Sequence, residues 1–220
     1  MGVRVPPGTP IKKNTMIYLF ENDIDIKLIN ELLHCAKNAN STHATVGHII
    51  DSKVIRKINK NQCTASFIDY SNFADKIIEL SLICKKIVEN KFSVNCIDKE
   101  INFLRYNDGA RYWPHVDGQY LDKNVAKRAG VSRDITCVTY LNDDYIGGDI
   151  NFKFLKQSFS PKKGNLLIYP GNWNYVHEVT PVTGIRYAIV IWFHTNPHMY
   201  DDEIISDPTV LHLLKIYNKS

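Results

Sequence analysis

Arg133-Asp-Ile-Thr-Cys-Val-Thr-Tyr-Leu-Asn142 runs into Asp143-Asp-Tyr-Ile-Gly-Gly148 and then into Asp149-Ile-Asn-Phe-Lys-Phe154. The outer two pieces are rich in β-branched and aromatic residues, which suit a pleated, half-buried surface, and the middle piece holds the acids and glycines that make turns. Strand, turn, strand is the natural reading, and the same texture extends on both sides. It predicts strands at Ile101–Tyr106, Tyr112–His115, Ile135–Leu141, Asp149–Phe154, Asn165–Tyr169, Tyr175–Val179 and Arg186–His194. Turn signals stand between them at Asn107-Asp108-Gly109, Asp143-Asp144, Gly147-Gly148, Pro161 to Gly164, Pro170-Gly171 and Thr183-Gly184.

Upstream the period changes. After Asp23, taken as an N-cap, Leu28, Ile29, Leu32, Leu33 and Ala36 recur at helical spacing, and Phe73, Ile77, Leu80, Cys84 and Ile87 form a second stripe. Helices first and closely spaced strands afterwards predict a mainly β fold, a sandwich or barrel buttressed by N-terminal helices. The absence of strand–helix alternation speaks against a Rossmann fold.

With 220 residues and 44% apolar content, one domain is expected, spanning 15–220 with its core at about 95–195. Residues 1–14 hold Pro6, Pro7, Gly8 and Pro10 without apolar periodicity and read as a loose leader. A net charge of +4 is far from the dense basic stripe of a nucleic-acid binder, so none is expected as partner. The five cysteines (Cys35, Cys63, Cys84, Cys96, Cys137) show no C-x-x-C spacing, against a disulfide framework or a structural zinc site. No apolar run reaches the ~18 residues of a membrane span, and none resembles a signal peptide. The expectation is a soluble, intracellular protein with reduced thiols and no membrane partner.

In Tyr112-Trp-Pro-His115-Val-Asp117, an extended chain turns the side chains of His115 and Asp117 to the same side. One imidazole and one carboxylate can share an ion there, and a third ligand from a distant strand would complete a 2-His-1-carboxylate set of the kind that holds iron(II) with positions left open. His177, in Asn174-Tyr-Val-His177-Glu-Val179, is the best candidate. An H-x-D tripeptide alone is weak evidence, since a lone histidine is more often structural. Yet among the others, His34 falls on a helix, His43, His48 and His198 in polar stretches, and His212 near the tail. Arg186 opens the strand that ends at His194, where a charge is costly unless it meets an anion, and its planar fork suits a carboxylate. The alternative is a strand-end arginine in solvent. Alternation places Arg186, Ala188, Val190, Trp192 and His194 on one face.

The stretch from Arg105 to His194 resembles the prolyl hydroxylases of the iron/2-oxoglutarate superfamily, both the algal and collagen-type prolyl 4-hydroxylases and the hypoxia-sensing enzymes. The resemblance is carried by Tyr106 to Asp117 (YNDGARYWPHVD), Arg133 to Asn142 (RDITCVTYLN), Gly147 to Phe152 (GGDINF), Pro161 to Asn165 (PKKGN) and His177 to Trp192 (HEVTPVTGIRYAIVIW). It implies a double-stranded β-helix, or jelly-roll, barrel with iron at its open end. It carries the metal ligands to His115, Asp117 and His177, and the oxoacid-binding residues to Arg186, Tyr140 and Tyr106, the two tyrosines being equally compatible with ordinary barrel aromatics. An arginine at this spacing agrees with the hypoxia-sensing enzymes, whereas the collagen-type ones have lysine one position later.

By the same resemblance Tyr112, Arg133, Trp192 and His194 match residues that hold the substrate proline and its backbone; Tyr112 and Trp192 are equally compatible with core packing. Residues 51–61 and 118–132 resemble or look like segments that close over substrate, with connectors as the alternative. Lys123, Lys127 and Arg128 would then form only a solvated basic face. The chemistry implied is hydroxylation of prolyl residues in a peptide or protein, using Fe(II), O2 and 2-oxoglutarate, with succinate and carbon dioxide released and ascorbate as auxiliary. Two alternatives stand beside it: the same cofactors acting on another substrate, or an inactive binding module.

Overall fold

The computed structural model describes residues 15–50, 53–57, 63–118 and 133–196, with backbone only for 46–50 and 53–57. The leader, Lys123, Lys127, Arg128, His198, His212 and most of both segments expected to close over substrate lie outside the described residues.

In chain order the elements are β1 (Tyr18–Phe20), α1 (Ile26–Asn38), β2 (Ser41–His43), β3 (Val46–Ile50), β4 (Lys53–Lys57), β5 (Ser66–Ile68), α2 (Ala74–Phe92), β6 (Asn95–Tyr106) and β7 (Tyr112–His115). The second half adds β8 (Ile135–Tyr140), β9 (Ile146–Gly147), β10 (Ile150–Phe152), β11 (Gln157–Phe159), β12 (Leu166–Pro170), β13 (His177–Val179), β14 (Val182–Thr183) and β15 (Arg186–Asn196). A large antiparallel sheet of seven strands has the order β1-β12-β8-β15-β6-β5-β2, and a small one of four has the order β11-β10-β13-β7. β9 with β14, and β3 with β4, form two-stranded ribbons.

The expected mainly β architecture is present, with two corrections. The sheets face each other as an open jelly-roll pair and do not close into a barrel. The expectation of helices first and strands later also needs correcting, because β1 to β5 lie before and between the helices. Ser41-Thr42-His43 is a short, exposed edge strand with no apolar alternation to read, which is why sequence pattern missed it. Residues 46–50 and 53–57 pair as a hairpin where part of a loop was expected.

Asp25, not Asp23, caps α1: its Oδ1 accepts the Lys27 N–H at 2.8 Å. In α2 the buried stripe is Ile77, Leu80, Ser81, Cys84 and Val88, with Phe73 and Ile87 packed partly buried beside it. Both helices lie on one face of the large sheet. Leu28, Ile29 and Leu32 of α1 and Ile77, Leu80 and Val88 of α2 meet Phe103, Ile135, Cys137, Ile168, Ile189 and Ile191 in one apolar core. Each such side chain fully buried contributes about 1.5–3 kcal/mol relative to exposure. The period of two then puts Tyr106, Val138, Tyr140, Leu167, Tyr169, Ala188, Val190 and Trp192 on the opposite face, toward Ile150, Phe152 and Val179 of the small sheet. No helix of the described residues is long and apolar enough to cross a membrane.

Candidate functional site

Between the sheets lies a cavity of about 920 Å³, its open mouth included, whose wall contains His115, Asp117, His177, Tyr106, Tyr140 and Arg186. The two histidines are brought together by strand register: His177 of β13 stands opposite His115 of β7, and their rings are 4.3 Å apart. β7 ends at His115, so Asp117 is set by a bend rather than by an extended strand. That bend needs glycine. Gly118 N–H donates to Gly171 O at 2.8 Å, and a Cβ on Gly171 would stand 2.2 Å from Arg133 O. Backbones this close exclude any side chain.

The ligand atoms of His115, Asp117 and His177 all lie within 4.8 Å of one another, and all three residues are buried. His115 Nε2 is 3.8 Å from Asp117 Oδ1, and His177 Nε2 is 3.8 Å from Asp117 Oδ2. His115 Nδ1 is 2.8 Å from Trp113 O and His177 Nδ1 is 2.9 Å from Tyr175 O. A carbonyl oxygen only accepts, so in each ring Nδ1 carries the proton and Nε2 turns a lone pair toward the cluster. Burial, reinforced by His177, pushes the His115 pKa down to about 3, which keeps that ring neutral and able to coordinate. Burial alone would raise the Asp117 carboxyl; His177, His115, the Thr136 hydroxyl and Arg133 outweigh it and hold the pKa below its usual value. Two nitrogens and one carboxylate oxygen on one side of an open space fit an octahedral iron(II).

The large sheet supplies the groups that orient this cluster. Thr136 and Tyr169 are cross-strand neighbours on β8 and β12, and both hydroxyls reach Asp117 Oδ2, at 2.7 and 3.1 Å. Tyr169 Oη is also 3.1 Å from His177 Nε2. Burial, with Asp117 beside it, raises the Tyr169 phenol far above its usual pKa, so it remains a donor. Sequence reading missed both residues. Strand parity places them on the cavity face, but only the β8–β12 register puts them opposite each other and over Asp117.

Arg186 is 2% exposed at the other end of the cavity. It stands opposite Tyr106 on β6, with its guanidinium 4.6 Å from the Tyr106 ring and 5.0 Å from the Tyr140 ring. Its Nε and Nη1, and Tyr140 Oη, are buried without a hydrogen-bond partner among the described residues. Burial pushes both phenols well up, so their hydroxyls stay protonated. A buried cation surrounded by unsatisfied donors is costly unless an anion completes it, so the solvent-facing alternative for Arg186 does not hold. The donors suit a carboxylate, which has about four lone-pair positions.

At the mouth, Tyr112 is stacked on His115 with ring centroids 3.7 Å apart, and Trp192 lines the wall. The Arg133 guanidinium lies 3.8 Å over the Trp192 ring and grips Glu100 through Nη2–Oε2 at 2.7 Å and Nε–Oε1 at 3.3 Å. Its Nη1 donates to Asp117 O at 3.4 Å. His194 Nε2 is 3.8 Å from Glu100 Oε1, and His194 is not among the residues that line the cavity. Glu100 was also missed: it lies one residue before the expected start of its strand, and only pairing with Trp192 places it beside Arg133.

Residues 101–194 match the family model for the 2OG-Fe(II) oxygenase superfamily. A PKHD-type hydroxylase of Stenotrophomonas maltophilia (strain R551-3) is 35% identical over 95 residues, which cover 41% of this chain and 40% of that protein. Prolyl 3-hydroxylase 2 of Homo sapiens is 32% identical over 111 residues, 46% of this chain and 16% of that protein. The chain thus spans well under two thirds of the curated relatives it matches. A solved prolyl hydroxylase in complex with a hypoxia inducible factor oxygen degradation domain peptide fragment, from Trichoplax adhaerens, shares the fold with a TM-score of 0.62 at 16% identity, over 84% of this chain and 86% of that one. The matched span coincides with the strands that carry the cluster and Arg186, and over that span the chain is similar to the 2OG-Fe(II) oxygenase superfamily.

Proposed function

We propose that this protein is a 2-oxoglutarate- and Fe(II)-dependent dioxygenase that hydroxylates prolyl residues of a peptide or protein, releasing succinate and carbon dioxide. The observation that carries the reading is the meeting, in one cavity, of a buried His115–Asp117–His177 cluster and a buried Arg186 whose Nε and Nη1 have no hydrogen-bond partner among the described residues. His115 and His177 would hold the iron through Nε2 and Asp117 through its carboxylate, with Thr136 and Tyr169 fixing that carboxylate. When bound, the iron supplies the oxygen and electron chemistry that no side chain here can perform. Arg186, Tyr140 and Tyr106 bind the distal carboxylate of 2-oxoglutarate and so orient its other end toward the cluster. The apolar walls, among them Val138, Ile150, Val179 and Val190, exclude water.

Trp192 and Tyr112 offer aromatic surface for a proline ring at the mouth, and Arg133, held flat on Trp192 by Glu100, offers donors to a peptide carbonyl. The names of the relatives support a prolyl substrate. A second reading, the same cofactors acting on another residue or a small molecule, is favoured by the cavity lining, which includes Tyr112, Arg133 and Trp192 but not His194.

The test is succinate formation from 2-oxoglutarate with Fe(II), ascorbate and O2, with and without a proline-rich peptide, for wild type and His115→Ala. Peptide-stimulated turnover abolished by the substitution, with a 16 Da gain on proline, is expected. Turnover without stimulation would favour the second reading. Absence of both turnover and metal binding would sink the enzyme.

A further inference from the structure

Behind Arg186, on the side away from the metal cluster, the chain builds a tight wall. Asn142, at the end of β8, donates from Nδ2 to Ile185 O at 2.7 Å and accepts the Tyr187 N–H on Oδ1 at 2.8 Å. The same Nδ2 reaches Asp144 Oδ1 at 2.5 Å. One side chain thereby ties the turn after β8 to the start of β15 and brings Tyr145 beside Arg186. Past the exposed Ile146, two residues cannot carry side chains. Gly147 and Gly148 have φ of +72° and +66°, and a Cβ on Gly147 would stand 2.2 Å from Pro181 O. A Cβ on Gly148 would meet Arg186 Cδ at 2.9 Å, Tyr145 Cε2 at 3.0 Å and Val182 Cγ2 at 3.1 Å. Arg186, Tyr145 and Val182 thus converge around Gly148 with no room left between them.

The wall is anchored on its far side. Gly109 N–H donates to Val182 O at 2.7 Å, Val182 N–H to Ala110 O at 3.0 Å and Gly184 N–H to Asp108 Oδ1 at 3.0 Å. Tyr145 Oη makes no hydrogen bond of ordinary geometry, and neither do Arg186 Nε and Nη1. The Tyr145 hydroxyl does interact with the nearby guanidinium, but its ring is what packs against the Arg186 stem, and Nε and Nη1 are left for an incoming anion.

We propose that Tyr145 is a positioning residue of the oxoacid site: acting through Arg186, it closes the space behind the guanidinium and sets the length of dicarboxylic oxoacid that the cavity accepts. The inference rests on the 2-oxoglutarate reading above and adds to it the element that fixes chain length. Removing the ring opens room into which Arg186 can withdraw, so a longer diacid gains on a shorter one. A monoacid, which has no distal carboxylate to meet Arg186, is indifferent to the change.

The test is calorimetric titration of Mn(II)-loaded protein, without oxygen, with 2-oxoglutarate, 2-oxoadipate and 2-oxovalerate. Tyr145→Leu is expected to shrink the preference for 2-oxoglutarate over 2-oxoadipate by about tenfold, the usual worth of one methylene in a fitted pocket. Mn(II) and 2-oxovalerate affinities should stay as in wild type, and Tyr145→Phe, which keeps the ring, should retain the wild-type preference. An unchanged preference in Tyr145→Leu overturns the proposal, as does an equal weakening of all three acids, which marks a merely structural role. If wild type binds Mn(II) but no 2-oxoglutarate, the oxoacid reading itself fails and this inference with it.

Discussion

Along β15, Tyr187, Ile189, Ile191 and Phe193 face the helices, while Arg186, Ala188, Val190 and Trp192 face the small sheet. The neighbouring strands divide in the same way, so one set of strands builds two interiors. On the helix side the core is dominated by apolar side chains, with Ser81 and Thr139 as buried polar ones, and it holds no buried charge among the described residues. On the other side stand a buried cation, three buried groups of metal-ligating type and hydroxyls without partners among the described residues. Buried polar groups left unpaired cost free energy, so the helix-side core must offset what the cavity side costs. The difference teaches that stability and binding sit back to back on one sheet, separated by the thickness of a strand.

That separation can be broken from either side. The largest effect on stability is expected from Leu80→Ala, which empties a fully buried position of α2 and should cost about 2–5 kcal/mol in chemical denaturation. Mn(II) affinity of the folded protein should not change; a parallel loss would show that the two interiors are coupled. Tyr169→Phe removes a donor to Asp117 and should weaken Mn(II) binding about 10–100-fold while melting moves little. Arg186→Met replaces a buried, unpaired cation by an apolar chain of similar length. It should abolish 2-oxoglutarate binding yet leave the ligand-free protein as stable as wild type or up to about 1 kcal/mol more so; a marked fall in melting temperature would mean that Arg186 also holds the fold.

The smallest effect concerns pH. The folded pKa of His115, about 3, is below its unfolded value, so the unfolded chain takes up the proton first as pH falls. Metal-free protein should lose stability from near pH 6.5 downward, by roughly 0.7 kcal/mol between pH 7 and 6. That share of the slope should vanish in His115→Gln, and its persistence would assign the acid sensitivity to other groups.

Much of this was legible in the residues. Seven strands and two helices were readable because their side chains alternate with a period of 2 or 3.6, and that alternation also sorted Arg186, Ala188, Val190 and Trp192 onto one face. Strands β1 to β5, β9, β11 and β14 were not readable: they are two to five residues long, mostly at edges, and carry little apolar periodicity. The cap of α1 was misplaced by two residues because Asp23 and Asp25 are both competent, and only the path of the chain past the buried Ile24 chooses between them.

The sequence by itself determined the chemical types present, their parity on each strand and, through the resemblance carried by Tyr106 to Trp192, which histidines, acid and arginine form one set. Tertiary structure decided which strand lies opposite which. Pairing β13 with β7 put His177 over His115, pairing β12 with β8 set Tyr169 beside Thr136, and pairing β6 with β15 brought Glu100 to Trp192. Parity is local, following from the backbone geometry of a single strand, whereas register is a property of two strands far apart in the chain and is fixed only when both faces of the sheet are packed at once.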